Sequence, residues 1–331
     1  MSVTAAQVKA RAAQLGFDLC GIARAHPLPP GPLDRWLARG WDAGMEYVRR
    51  RRAERLDPAL LVPDARSVIV VAASYAPAAD DPRPAPGELT IARYARGRDY
   101  HNVLIKPVRK LARWLREGGA AVYAEVDAGA VMEKAWAQEA GIGWIGKNGC
   151  LIHERLGSWL LLGALITDVA LEADAPHPDR CGDCALCIPA CPTDAIREPR
   201  YVDSTRCIAY HTIEHRESIP EEIARRAGGR LFGCDACQDV CPWNRRAPPA
   251  RLVQLRARTP SLAVREVLAL TADEARRRFE GTPLLRAGRD GLVRTALAVA
   301  DVARPDAEKL ADDAAAGVRA QARRRLSAMG T

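Results

Sequence analysis

Cys181-Gly-Asp-Cys184-Ala-Leu-Cys187-Ile-Pro-Ala-Cys191-Pro192 is the stretch on which the fold turns. Its spacing is C-x2-C-x2-C-x3-C-P. The two-residue gaps let three thiolates converge on one cluster from a single tight loop. The three-residue gap and the proline send the fourth sulfur to a neighbouring cluster. A second set completes the pattern: Cys207, then Cys234-Asp-Ala-Cys237-Gln-Asp-Val-Cys241-Pro242, with the same C-x2-C-x3-C-P ending. Crosswise ligation then gives four sulfurs to each of two [4Fe–4S] clusters. The first takes Cys181, Cys184, Cys187 and Cys241; the second takes Cys191, Cys207, Cys234 and Cys237. Paired C-x2-C also suits structural zinc. Zinc has no use for the third cysteine of the run or for the two Cys-Pro endings, so iron–sulfur is the favoured reading. The other two of the ten cysteines, Cys20 and Cys150, read as packing residues.

Around this segment lie 331 residues, room for about two domains of which one can be small. Hydrophobic residues at 48% and charged ones at 27% exclude a disordered chain. The longest apolar run, Trp159 to Ile166, falls well short of the ~20 residues a membrane span needs. Met1 to Gly16 carries charges and no apolar leader, so the expectation is a cytoplasmic chain with no membrane association. In that compartment, crowded cysteines argue for metal rather than disulfides.

Charge is unevenly spread. The whole chain carries 49 Lys plus Arg against 41 Asp plus Glu, a net +8. From Arg245 to Thr331 there are 18 basic and 10 acidic residues, so this last quarter holds the entire excess. Such a segment suits a polyanionic partner or, equally, a solvated helical surface.

Periodicity divides the chain into three parts. Residues 1–170 read as an α/β domain, with helices at Ala5–Leu15, Asn102–Glu117 and Val131–Ala140 and strands at Ser67–Ser74, Ala121–Val126 and Ser158–Asp168. Pro107 marks the start of the second helix or a kink in it. Residues 171–245 hold the cysteines. Residues 246–331 read as stacked helices at Ser261–Leu268, Thr271–Phe279, Gly291–Val302 and Ala307–Met329. Thr271 and Glu274 form a capping box. Leu292, Ala296, Val299 and Ala300 form one apolar stripe, with Arg294 facing away.

Several separated stretches point to one family. They are Ile91-Ala-Arg-Tyr94-Ala-Arg-Gly-Arg-Asp99-Tyr100-His101, Val126-Asp127-Ala-Gly, Gly141-Ile-Gly-Trp144-Ile-Gly-Lys147-Asn148, and Cys207-Ile-Ala-Tyr-His-Thr-Ile-Glu-His-Arg. With the twin cysteine motifs in this order, the chain resembles the epoxyqueuosine reductases, from about residue 5 to 325. Two positions depart from the family pattern: Ala130 stands where relatives often have proline, and His211 where leucine is usual.

The resemblance implies an α/β domain holding base-off cobalamin against a ferredoxin-like domain with two [4Fe–4S] clusters, followed by an all-α, HEAT-like segment that helps bind tRNA. It implies a monomeric enzyme acting on tRNA that carries epoxyqueuosine at the wobble position. An external low-potential electron donor, of ferredoxin or flavodoxin type or an artificial reductant, would feed the clusters and generate cob(I)alamin. By the same resemblance Asp127 is the general acid. An epoxide oxygen leaves poorly as an alkoxide, so ring opening needs a proton donor there, and a carboxyl serves only if burial raises its pKa. The alternative for Asp127 is a helix N-cap.

Arg93, Tyr94, Asp99, Tyr100 and His101 become lining of the cobalamin pocket; their plain alternative is a turn with a capping aspartate. Gly141, Gly143 and Gly146 would let backbone at Lys147 and Asn148 approach a large flat ligand, and no Gly-Lys-Ser/Thr supports a phosphate loop. Ala209, Asp235 and Ala236, beside cluster ligands, would face cobalamin. Arg286, Arg289 and Arg294 would hold the tRNA. His153, His177, His211 and His215 read as exposed loop histidines, because no Asp-x-His-x-x-Gly run offers an axial ligand. The competing readings are a reductive dehalogenase-like enzyme, an electron carrier fused to a binding domain, and a zinc-containing RNA-binding module.

Overall fold

Ser67–Ser74 is a strand, β2, with all eight residues buried, and a strand buried on both faces needs cover on each. The computed structural model, which describes residues 3–330, supplies it. Ile69, Val71 and Ala73 pack against helices Ala5–Gln14 and Tyr100–Glu117 through Val8, Ala12, Leu104, Val108 and Leu111. Val68, Val70 and Ala72, one residue out of phase, pack against Leu33, Leu37, Trp136 and Ala137 of helices Gly31–Ala38 and Glu133–Glu139. Each such aliphatic side chain contributes roughly 1.5–3 kcal/mol on burial.

The sheet runs β1-β2-β7-β4, from Leu19–Arg24 (β1), Ser67–Ser74 (β2), Leu160–Thr167 (β7) and Val122–Glu125 (β4). Every pairing in it is antiparallel. The expected α/β domain therefore has its helices on both faces without parallel crossovers. Val71 of β2 stands opposite Gly163 of β7. A Cβ at Gly163 would lie 2.9 Å from Val108 Cγ2, so the missing side chain lets the Tyr100–Glu117 helix close on the sheet. That helix begins before Asn102, where Asp99 caps it by accepting from the His101 amide at 3.0 Å, and it carries Pro107 inside.

A second sheet ties the chain together. Leu89–Ile91 (β3) pairs in parallel with Arg230–Phe232 (β10) and antiparallel with Ser261–Leu262 (β11). One strand comes from each of the three sequence segments, and the buried cluster around it runs from Leu89 and Ile91 through Phe232 to Leu292, Ala296 and Val318. Two short hairpins complete the strands: Trp144–Ile145 (β5) with Leu151–Ile152 (β6), and Ile196–Glu198 (β8) with Tyr201–Val202 (β9).

The C-terminal helices differ from the periodicity in two places. Ser261–Leu262 is strand, drawn out by pairing with β3, and the helix there is only Val264–Leu268. The stretch expected as one helix over 307–329 is two, Arg304–Lys309 and Ala316–Met329, because Asp313 accepts from the Ala315 amide and from Arg289 and turns the chain. The capping box at Thr271 and Glu274 is formed. Among the described residues no helix is long and apolar enough to cross a membrane.

Candidate cluster sites and catalytic cavity

The cysteine loop folds through main-chain turns, Cys184 N to Cys181 O at 3.1 Å and Cys191 N to Ile188 O at 3.2 Å. Cys207 caps helix Ile208–Ile213, Cys237 lies in the short helix Ala236–Asp239, and Cys241 opens the turn Pro242–Arg246. Cys181, Cys184, Cys187 and Cys241 line one small cavity with Trp243 and Ile152. Burial and the neighbouring Cys181, Cys241 and Cys184 push the Cys187 thiol up to about 11. In the other group, burial and then Cys234 and Cys191 push Cys207 up to about 11, and Cys237 feels both Cys234 and Cys207.

Cys181, Cys184, Cys187 and Cys241 share one cavity, and Cys191, Cys207, Cys234 and Cys237 lie near enough to act on one another; four thiolates so grouped repel unless a cationic core sits among them. Iron fits that demand. Among the described residues no three His, Cys, Asp or Glu side chains are gathered tightly enough for a single metal ion. N–H donors already point at the sulfurs: Trp144 Nε1 to Cys181 at 3.4 Å and Ala195 N to Cys191 at 3.2 Å. Such bonds suit electron-rich, cluster-bound sulfur.

The Gly141–Asn148 stretch serves the protein's own chain rather than a flat ligand. A Cβ at Gly141 would meet Ala175 O at 2.7 Å, and one at Gly143 would meet Ile152 O at 2.1 Å. Lys147 Nζ donates to Gly182 O at 2.8 Å, holding the first cysteine loop, and buried Asn148 accepts from Cys150 N at 3.1 Å and reaches Cys237 O at 3.5 Å. Both residues brace cluster loops. Cys150 is hydrogen-bonded to Cys237, closer to the second tetrad than a packing residue need be.

Asp127 follows β4 with φ 57°, a left-handed backbone that aspartate tolerates better than most residues but at a cost. Its amide donates to Glu133 Oε1 at 3.1 Å. The Tyr100 hydroxyl donates to its carboxylate, His101 Nε2 stands 3.6 Å from Oδ2, and His101 Nδ1 lies 2.8 Å from Asp99 Oδ1. The imidazole is thus held between two carboxylates. The bond to Asp127, then that to Asp99, raise His101 to about 9. Burial pushes Asp127 upward, but His101 and Tyr100 outweigh it and hold the carboxyl below its usual range. The expectation of a carboxyl raised by burial is therefore corrected: the bonds from His101 and Tyr100 lower Asp127, and the same bond raises His101. Glu133 goes the other way, to about 8, through burial and the charges of Asp127 and Glu125.

Tyr94, Asp99, Tyr100, His101, Phe232 and Arg286 line a cavity of about 510 Å³ beside this couple. Arg93 is separate from them. Its guanidinium pairs with Asp235 and Asp239 and lies over the Trp159 ring, and with Cys234 and Asp235 it lines a second cavity of about 690 Å³. Tyr94 packs edge-on against Tyr100 at 5.8 Å and tilted against Phe232 at 6.2 Å, beside Gly233 next to Cys234. Ala209 and Ala236 are half-buried, and Asp235 is buried, accepting from the Arg93 amide at 2.8 Å. Tyr47 and Glu214 also belong to this neighbourhood. Glu133 and Glu214 stand in or next to the quoted motifs, whereas Tyr47 carried no sequence signal.

The tail arginines divide sharply. Arg286 is half-exposed at the cavity and pairs with Glu214 at 2.6 and 2.9 Å. Arg289 is largely buried, bound to Asp313 at 2.5 Å and to Leu270 O. Arg294 is 1% exposed and donates to the carbonyls of His211, His215 and Glu217. Neither Arg289 nor Arg294 can double as an RNA contact, and Arg294 does not face away from the core. The histidine reading also changes. His211 is buried and bonded to Thr205 O at 2.7 Å, and His177 stacks on Trp144.

Residues 180–244 match the family model of the 4Fe-4S double cluster binding domain, and residues 55–128 match that of epoxyqueuosine reductase QueG, DUF1730. An epoxyqueuosine reductase of Gloeobacter violaceus is 45% identical over 308 residues, 89% of this chain and 95% of that protein. The crystal structure of an epoxyqueuosine reductase with an epoxyqueuosine-modified tRNA-Tyr stem loop superimposes with a TM-score of 0.90 at 27% identity, over 98% of this chain and 90% of the other. The Bacillus subtilis epoxyqueuosine reductase, with its catalytic aspartate loop swung out of the active site, gives 0.87 at 27% identity over 96% and 88%. With its paired cysteine tetrads, this chain is an oxidoreductase that belongs to the epoxyqueuosine reductase family.

Proposed function

We infer that this chain reduces the epoxide of epoxyqueuosine at the tRNA wobble position to the cyclopentene of queuosine. The observation that carries this reading is the position of Tyr94: its ring packs edge-on at 5.8 Å against Tyr100, which donates to Asp127, and it lies beside Gly233, the neighbour of Cys234 in the second cysteine group. The balance is two electrons and two protons in, one water out.

The parts follow the chain. Residues 1–170 carry the acid couple, 171–245 the two [4Fe–4S] clusters, and 246–331 a HEAT-like helical face for RNA. Asp127 takes the proton stored on His101 and delivers it to the epoxide oxygen. Asp99 holds the imidazole, and Tyr100 holds the carboxylate in position. Such proton transfer contributes about 10²–10⁴-fold.

Base-off cobalamin suits the chemistry of this lining: the cavity has an aromatic wall of Tyr94 and Phe232 and a polar wall of Asp99, Tyr100 and His101, with Asp127 bonded behind Tyr100. Tyr94, Tyr100, His101, Asp127, Asp235, Ala209 and Ala236 would hold it. When bound, it supplies a low-valent cobalt centre that passes electrons to the ring. Arg286 lies where the modified nucleoside enters. Arg265, Arg276, Arg277 and Arg304, exposed and without an ion pair among the described residues, suit the flanking phosphates; the related complex with a tRNA stem loop supports tRNA as the partner.

Anaerobic purification followed by hydroxocobalamin addition tests the reading. About eight irons per chain with stoichiometric cobalt are expected from two four-iron clusters. Zinc with no cobalt would discard the catalytic account.

A further inference from the structure

The two tetrads face different surroundings. Among the ten cysteines Cys184 alone is exposed, and it belongs to the first tetrad. Beside it Leu186 is 48% exposed, one of few large hydrophobic side chains so open to solvent. Leu186, Pro242 and Trp243 border the cavity of the first tetrad. The second tetrad lies inward, with Cys237 against Cys150 and Cys234 beside buried Asp235.

The rim of the first tetrad is basic. Arg245 and Arg246, directly after Asn244 in Cys241-Pro242-Trp243-Asn244, are exposed and carry no ion pair among the described residues. Arg155 is likewise exposed, on the turn His153–Gly157 that abuts Asn244. The other charges nearby largely cancel: Arg180 pairs with Glu154 and Arg200 with Asp179, and Asp183 has no ion pair among the described residues. An apolar centre over a redox group, ringed by uncompensated arginines, is complementary to an acidic partner.

We propose that the Cys184–Leu186 face, with Arg155, Arg245 and Arg246 as its rim, is the docking site of an acidic one-electron carrier protein that reduces the first cluster. The proposal rests on the two-cluster reading above. Each encounter oxidises the carrier by one electron and reduces the first cluster by one, so two encounters supply the pair that ring opening consumes. The inward second tetrad, whose Cys234 lines the larger cavity with Arg93 and Asp235, receives each electron.

The test uses cluster-loaded chain and stopped-flow reduction by two donors: an acidic flavodoxin in its hydroquinone form, and dithionite. The triple variant Arg155→Glu/Arg245→Glu/Arg246→Glu should slow reduction by flavodoxin about tenfold or more at low salt, flatten its salt dependence, and leave dithionite reduction and tRNA stem-loop affinity unchanged. Leu186→Ser should slow the same step without altering its salt dependence. Unchanged flavodoxin rates in both variants would overturn the proposal. So would a loss of stem-loop affinity in the triple variant, which would make the face an RNA surface. Wild-type chain that takes up no iron would instead sink the two-cluster reading itself.

Discussion

The two cysteine tetrads share one chemistry and differ in what surrounds them. The first sits at the surface, with Cys184 exposed and Trp144 donating to Cys181 from a packed group of Trp243 and His177. The second lies further in, with Cys237 against Cys150 and Cys234 beside buried Asp235, both lining the larger cavity. The difference teaches that ligand type sets what a cluster is, whereas burial sets which neighbour it can exchange electrons with. One group of cysteines opens to solvent at Cys184, and the other lines the larger cavity at Cys234.

The sharpest way to break this comparison is to cross the motifs. Cys241→Ala, though in the second motif, should abolish the first cluster, and Cys191→Ala, though in the first run, should abolish the second. Each variant should retain about four irons per chain. Iron analysis with electron paramagnetic resonance of the reduced protein reads this; signals lost motif by motif would refute crosswise ligation.

Arg294 links the cluster segment to the helical tail, so its loss should loosen the frame behind the second tetrad. Arg294→Met leaves the carbonyls of His211, His215 and Glu217 to find other partners, at about 1–3 kcal/mol for each left unsatisfied. Denaturant titration should show a drop of about 3 kcal/mol or more. Arg286→Ala, at a half-exposed pair, should cost less than about 1 kcal/mol.

The cavity side also has a pH signature. His101 is raised to about 9 by Asp127 and Asp99, above its unfolded value of about 6.5. The stability this contributes is fully present below the unfolded value and is lost as pH rises through 9. Turnover that draws on the imidazolium should hold through neutrality and decline over the same upper range. Asp127→Asn should bring the His101 titration down, as read by NMR of the ring protons; a midpoint left near 9 would show that Asp127 does not hold the imidazolium.

The smallest effect is expected at Trp144. Trp144→Phe keeps the packing but removes the N–H donor to Cys181, so the midpoint potential of the first cluster should fall while that of the second stays put. Equal shifts in both clusters would mean the substitution acts through general repacking.

Sequence spacing made the cysteine region legible because the runs themselves are local: Cys181, Cys184 and Cys187 share one loop, and Cys234 and Cys237 another. Ser67–Ser74 was legible for a similar reason, since a short β-branched run between prolines has few other uses. The arginines were not. Their role depends on partners far along the chain, as when Arg294 meets carbonyls near residue 215 and Arg289 meets Asp313, and charge counting cannot distinguish a buried guanidinium from a free one. Gly141 and Gly143 carried a true signal, close approach, with the wrong object, because composition does not say what approaches. Asp127 was located by motif, but its charge state is set by His101 and Tyr100 folding back over it from the start of another helix.

The most direct measurement is single turnover of an epoxyqueuosine-containing tRNA stem loop, followed by mass spectrometry, with wild-type chain and Asp127→Asn loaded to equal iron and cobalt. The wild type should yield nucleoside lighter by one oxygen atom, and the variant should be slower by about 10²–10⁴-fold. Equal rates in the two proteins, or an unchanged nucleoside with fully loaded wild type, would contradict the account.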